Sequence, residues 1–203
     1  MSLLAAEATS PDAYLAYARA VIDLTLASFL RFWAVAASDD LREFLMATAV
    51  LRRMNASLCD VVTGQTGGGR KMLERLERQN LFLVPLDTHR QWFRYHHLFA
   101  DVLRTHLTEA QTKALSAIHR RASEWFEAYG ERTEAVFHAL EAEDYERAAD
   151  LIERSIPEMI RQRQEAVLQS WLKPIPDAII RKRPTLAIAY AGVLVSLGVF
   201  ERV

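Results

Sequence analysis

Apolar residues recur at helical spacing over most of this 203-residue chain, and the rhythm changes in one place only. Pro11 and Asp12 open a run in which Leu15, Ala18, Ile22, Leu26, Phe29, Leu30 and Trp33 fall three or four positions apart, which predicts a helix. Ser38, Asp39 and Asp40 break it and cap the next helix, over 41–51, with Leu41, Phe44, Leu45, Thr48 and Leu51 on one face. Asn55 caps a short helix through Leu58, Cys59 and Val62. The glycine-rich stretch 64–69 is the strongest loop signal, and 70–80 follows as a third helix packing through Met72, Leu73 and Leu76. The apolar run 81–84, the polar turn 87–90 and the aromatic-rich run 91–95 then read as a β-hairpin. Helical spacing returns over 96–107 through Leu98, Phe99, Val102 and Leu103. Helix, helix, helix, two-stranded wing and helix is the order of a winged-helix module.

Everything beyond is helical. Thr108 with Gln111 three positions on forms a capping box, opening a long helix through Leu115, Ile118, Ala122, Trp125 and Phe126 that Gly130 ends. Shorter helices are predicted over 133–140, 144–153, 157–164, 165–172 and 177–180, with a last one over 184–197. Small residues at close-packing positions (Ala135, Ala139, Ala148, Ala149, Ala187, Ala191) favour antiparallel helix pairs of the solenoid type. A solenoid needs a capping unit with a polar outer face. None is visible here, so the chain is expected to be part of something longer.

Composition narrows the partners. Formal net charge is −1. Residues 1–107 carry 12 Lys and Arg against 11 Asp and Glu, and the remainder 13 against 15, so neither part holds a bulk positive field for a nucleic-acid backbone. The single cysteine, Cys59, excludes an intrachain disulfide and suits a reducing compartment. With 7 Gly and 6 Pro, neither a long disordered linker nor a loop-rich β-sandwich fits. No basic segment follows Met1, which argues against a signal peptide. The most hydrophobic stretch, 20–36, contains Asp23 and Arg31, each costly at mid-bilayer, so it reads as a buried helix and not as a membrane span. The expected setting is cytoplasmic.

The candidate chemistry is thin. Gly64 and Gly69 have P-loop separation, but Arg70 stands where the lysine belongs and Lys71 where the hydroxyl belongs, and 61–63 is too short for a central strand. A connection between two helices is the better account. His96 and His97 are adjacent and so point in different directions, His106 falls at an unsuitable angle, and His119 and His138 read as isolated, partly buried rings; no metal site is expected. Cys59 lies on an apolar face as a structural thiol, and no Gly-x-Ser-x-Gly elbow occurs, so no catalytic residue is assigned. Arg70, Lys71, Arg75 and Arg78 line the third helix where a DNA-binding winged helix places its readers. Glu74 and Glu77 interleave with them, and Glu74 with Arg78 suits ordinary i,i+4 pairing on a solvated face.

Several segments carry a family likeness: Leu41-Arg42-Glu43-Phe44-Leu45, Leu58-Cys59-Asp60, Leu73-Glu74-Arg75-Leu76, Asn80-Leu81-Phe82-Leu83 and, most specifically, Phe93-Arg94-Tyr95-His96-His97-Leu98-Phe99. They resemble the middle region of the MalT-like regulators, large ATP-binding transcription activators of the LuxR type in the STAND class. Trp125-Phe126-Glu127 and the stretch from Asp144 through Ala148, Ala149 and Asp150 to Ile152 resemble the start of that family's helical-repeat domain. The likeness covers roughly residues 38 to 198. It implies a mainly α chain with three parts: the helical end of an NTPase module (1–40), a winged helix (41–107) and a truncated run of antiparallel tetratricopeptide-like helical pairs (108–203). It further implies ATP or ADP as the cofactor of the full-length protein, bound by a P-loop NTPase domain that this sequence lacks. The repeats would sense a small-molecule inducer or a regulatory protein, and DNA would be read only by an absent C-terminal domain. In related STAND proteins a winged-helix histidine just after the wing contacts ADP and holds the inactive state. His96 stands at that place, at a helix N-terminus suited to a phosphate. A second histidine replaces the family's acidic residue. Two roles therefore stand open for His96: contact with the ADP phosphate, or capping its helix and packing on the wing. A second class of function stands beside the regulatory latch, namely a winged-helix DNA-binding regulator with a helical effector or dimerisation domain, which predicts salt-dependent duplex binding.

Overall fold

The computed structural model describes residues 38–79, 81–105, 112–196 and Gly198. The helix expected from Pro11 onward, His106 and the Thr108 capping box lie outside the described residues. The chain divides into two compact units. One holds the described residues within Met1–Asn55 and Arg70–Leu107, the other those within Ala56–Gly69 and Thr108–Val203.

In the first unit, α1 (Asp39–Thr48) buries Leu41, Phe44, Leu45 and Thr48, the face that its spacing predicts. The helix stops three residues earlier than expected: Ala49 N–H still bonds back to Leu45 O, and Leu51 N–H then bonds to Thr48 O in a turn. Arg104 donates its Nε–H to Ala49 O at 3.1 Å and its Nη1–H to Asp101 at 2.9 Å, which satisfies a carbonyl left open at the helix end. α3 (Gly68–Arg78) buries Leu73 and Leu76 as expected, while Met72 is only half-buried. Strands β1 (Leu83–Pro85) and β2 (Phe93–Tyr95) pair antiparallel in the register Leu83 to Tyr95, Val84 to Arg94 and Pro85 to Phe93. Phe93 also exchanges two backbone bonds of 2.8 Å with Met54, so its N–H and C=O face away from β1. Pro85 therefore sits opposite a residue that asks no hydrogen bond of it, on the open edge where proline is tolerated. The hairpin is shorter than the two runs suggest, because residues 86–92 form the turn. Helix α4 (His97–Thr105) closes the unit and buries Phe99, Ala100 and Leu103.

In the second unit, α2 (Ala56–Thr63) packs on α5 (Thr112–Ala128) and buries Leu58, Cys59 and Val62. Arg121 of α5 donates to Val62 O, satisfying a carbonyl at the end of α2. The glycine stretch is not all loop: Gly68 and Gly69 already belong to α3. Gly69 donates its N–H to Asp60 Oδ1 at 2.6 Å, and a Cβ there would meet Ala56 O at 2.4 Å, so close approach of backbone to backbone demands glycine.

Helices α6 (Arg132–Glu141), α7 (Tyr145–Arg161), α8 (Glu165–Leu172), α9 (Asp177–Lys182) and α10 (Pro184–Ser196) follow with short connections. α5 packs on α6, α6 on α7, α7 on α8 and α9 on α10. Fully buried Ala135, Ala139, Ala148 and Ala149 let the α6 and α7 backbones approach, as the small-residue pattern predicts. One boundary differs. Pro157 does not begin a helix but lies inside α7, which runs unbroken from Tyr145. Proline inside a helix costs roughly 3 kcal/mol, and burial of Ile152, Ser155, Ile156 and Met159 along one face outweighs it.

The turns of this unit share one construction. After α5, α6 and α7 a residue adopts left-handed backbone (Gly130 φ 77, Glu143 φ 55, Arg163 φ 55), and the next residue's N–H reaches five positions back: Glu131 to Phe126 O, Asp144 to Ala139 O, Gln164 to Met159 O. No helix among the described residues is long and apolar enough to cross a membrane.

Candidate functional site

The hairpin turn is organised by one carboxylate. Asp87 accepts the N–H of Gln91 at 3.1 Å and that of Trp92 at 2.6 Å, and these two bonds hold its carboxyl below the usual carboxylate range. Arg90 in the same turn has left-handed backbone (φ 51), and its guanidinium meets Glu77 of α3 at 2.8 Å.

Behind the turn, β2 delivers Tyr95 into the core, where its hydroxyl shares a 2.7 Å bond with Thr48 and its ring meets Phe99 edge-on at 5.4 Å. Thr48 Oγ1 also donates to Phe44 O at 2.7 Å, so the Tyr95 hydroxyl is the donor in their shared bond. The next residue is His96. Its N–H bonds to Phe82 O at 2.8 Å and its C=O accepts from Ala100 at 3.0 Å, which places it at the N-cap of α4. Its ring is exposed and lies 4.3 Å from that of His97, tilted by 31°. Phe82, held in left-handed backbone (φ 53), stacks on Phe99 at 5.1 Å. His96 is thus an exposed side chain on a mount fixed from both sides.

The mount borders a groove of about 570 Å³. One wall is β1 with Phe82, and the polar groups around it are Glu77, Arg78, Arg90 and His96. The groove is open to solvent, and none of the residues that line it is buried. Of these groups only His96 stood out as a cofactor contact in the sequence. Arg78 drew notice as a DNA reader, whereas Glu77 and Arg90 are 13 residues apart and no spacing rule joins them.

Elsewhere on α3 the arginines are engaged. Arg70 pairs with Glu74 at 3.2 Å, while Arg75 reaches Asp40 at 3.3 Å and Ser38 Oγ at 3.1 Å. The expected pairing of Glu74 with Arg78 takes another form: Arg78 donates to the Glu74 backbone carbonyl at 3.3 Å, because Arg70 holds the carboxylate. At the glycine stretch, the Asp60 carboxylate sits on the N–H of Gly69, the place a phosphate takes in a P-loop.

The histidines of the second unit correct the sequence reading. His119 and His138, expected to be isolated, face each other across α5 and α6 with their Nδ1 atoms 2.9 Å apart. His138 stacks on Phe126 at 5.4 Å, and burial pushes the His119 imidazole down to about 4. Each lies three or four positions from buried apolar residues (Ala122 for His119; Ala135 and Ala142 for His138), a signal that could have placed both rings inward. Cys59 is fully buried, and desolvation, with Asp60 beside it, drives its thiol far above the usual range. Among the described residues no three His, Cys, Asp or Glu side chains gather in a way that could hold a metal ion.

Comparison with known proteins adds the relationship. Residues 35–115 match the model of the MalT winged helix domain. Over 157 residues, 76% of this chain, the sequence is 38% identical to the serine/threonine-protein kinase PknK of Mycobacterium tuberculosis and to that of Mycobacterium bovis. Over 158 residues, 78% of this chain, it is 35% identical to the HTH-type transcriptional regulator MalT of Cronobacter sakazakii. The matches span 14% of each kinase and 17% of the regulator, so the chain corresponds to a small part of those proteins. Among the described residues the chain is mainly helical with one hairpin between α3 and α4, the architecture that this likeness implies. Through residues 35–115 the chain belongs to the family of the MalT winged helix domain.

Proposed function

We propose that the winged helix is an intramolecular latch in a longer, cytoplasmic, ATP-dependent transcriptional regulator. His96 contacts a phosphate of ADP held by an NTPase domain of the same protein, and that contact favours the inactive state. Exchange of the nucleotide releases the latch. The helical region 108–203, read as tetratricopeptide-like pairs, senses a small-molecule inducer or a regulatory protein, and DNA is read by a separate domain. Such a switch needs only a ligand that binds one of two states better than the other.

The observation that carries this reading is the placement of His96: exposed, at the N-cap of α4, its backbone held by Phe82 and Ala100, and on a groove that Arg78 and Arg90 also line. The ion pairs of Arg70 and Arg75 with Glu74 and Asp40 support the latch over a winged helix that reads DNA itself, since base readers need net positive charge around them.

The test is His96→Ala in the longer protein, reading ADP retention after gel filtration together with basal transcription. Faster ADP loss and raised basal activity are expected. Unchanged retention and unchanged activity would sink the latch. Titration of the 203-residue chain with labelled mixed-sequence duplex at low and near-physiological salt checks the other reading. Binding that falls steeply with salt would make the winged helix a reader.

A further inference from the structure

The groove beside His96 holds more positive charge than a single histidine contact requires. Arg78 and Arg90 line it as well, and the carboxylate among its polar groups, Glu77, is engaged by Arg90 at 2.8 Å. A guanidinium fork matches phosphate oxygens in a bidentate way. The N–H groups of the first turn of α4 have no partner within the helix and add partial positive charge beside His96. The volume of about 570 Å³ suits a nucleotide-sized ligand and not the track of a duplex.

We propose that Arg78 and Arg90 are diphosphate-contacting residues of this groove, and that Glu77 is a built-in competitor that a ligand phosphate must displace from Arg90. This rests on the latch reading for the nature of the ligand and adds the residues that hold it and the carboxylate that weakens it. The Arg90 side chain is 65% exposed and that of Glu77 31%, so their pair is the kind that exchanges readily for a doubly charged oxyanion. Glu77 thereby sets the affinity: with it in place, a diphosphate binds and a singly charged anion does not compete.

The experiment is calorimetric titration of the 203-residue chain with inorganic pyrophosphate, ADP and adenosine. Pyrophosphate and ADP are expected to bind and adenosine not to, which separates the diphosphate from the base as the recognised group. Arg90→Gln and Arg78→Gln should each weaken pyrophosphate about tenfold, a step of about 1.4 kcal/mol. Glu77→Gln should tighten it several-fold, a gain that a folding defect cannot mimic. No pyrophosphate binding at millimolar concentration, or a Glu77→Gln variant that binds no more tightly, overturns the proposal. Arginine variants without effect overturn it too, and if His96→Ala still releases ADP from the longer protein, the latch survives alone. Should pyrophosphate bind with this arginine dependence while His96→Ala leaves ADP retention unchanged, the anion site stands and the latch falls.

Discussion

The two units hold short elements in place by different means. In the first, the ties join residues far apart in sequence: Tyr95 to Thr48, Phe93 to Met54, Arg90 to Glu77 and Arg104 to Ala49. In the second, one local device recurs. A left-handed residue ends a helix, the chain turns, and alanines let the next helix close on the last. Arg147 and Arg154 on Glu127, and Arg183 on Glu146, Asp150 and Glu153, add polar ties along the same stack. The first design mounts an exposed histidine on a backbone bonded at both ends. In the second, α10 also packs on α8 and on α7, so the later helices hold one another as well as their neighbours in sequence.

The largest test of this contrast removes a core aromatic from each. Phe99→Ala and Phe126→Ala each empty a site that is 1% exposed, at a cost of about 3–5 kcal/mol. In the first unit the loss should spread, so that amides of α1, β1, β2 and α4 lose hydrogen-exchange protection together. In the second, protection should fall at α5 and α6 while α9 and α10 keep most of theirs. Equal loss across both ends of the second unit would break the contrast.

Next in size is the buried histidine pair. An unfolded histidine titrates near 6.5, and His119 in the fold is pushed down to about 4 by burial. The fold therefore favours the neutral ring. Its full contribution holds above pH 6.5 and is lost as pH falls from there toward 4, by up to about 3 kcal/mol. Urea unfolding of the second unit at pH 7.5 and pH 5 should show greater stability at the higher pH, and His119→Gln should flatten that slope. A slope unchanged by the substitution would remove His119 as its source.

The smallest effect sharpens the account of the turns. Glu143 and Arg163 occupy left-handed backbone in which a side chain is strained, whereas Gly130 fills the equivalent place without strain. Glu143→Gly and Arg163→Gly should each stabilise the second unit by about 0.5 kcal/mol, once glycine's greater freedom in the unfolded chain is set against the relieved strain. A lowered midpoint in thermal unfolding would show that those side chains do more than tolerate the turn.

Much of this was readable in advance. The switch of period at 81–95 located the hairpin, and the run through Leu41, Phe44, Leu45 and Thr48 named the buried face of α1. His96 drew notice only through the family resemblance, and its role remains a proposal. What the chain's order hid are pairings across distance. Glu77 and Arg90, or His119 and His138, lie 13 and 19 residues apart on different elements, and only packing decides that they meet. Pro157 misled for the complementary reason: a local breaker was overruled by burial of Ile152, Ile156 and Met159 around it.

By itself, then, the sequence determined the order and kind of the elements, because helix and strand periods and turn residues act over neighbours a few positions apart. It also determined which faces are apolar, and through the Arg94-Tyr95-His96-His97-Leu98-Phe99 stretch it disclosed the family. The tertiary structure alone decided that the glycine stretch yields Gly69 to the Asp60 carboxylate, that the arginines of α3 are mostly engaged, and that Arg78, Arg90, Glu77 and His96 border one groove. Those outcomes depend on distances between groups remote in the chain, and Coulomb and hydrogen-bond energies change steeply over a few ångströms.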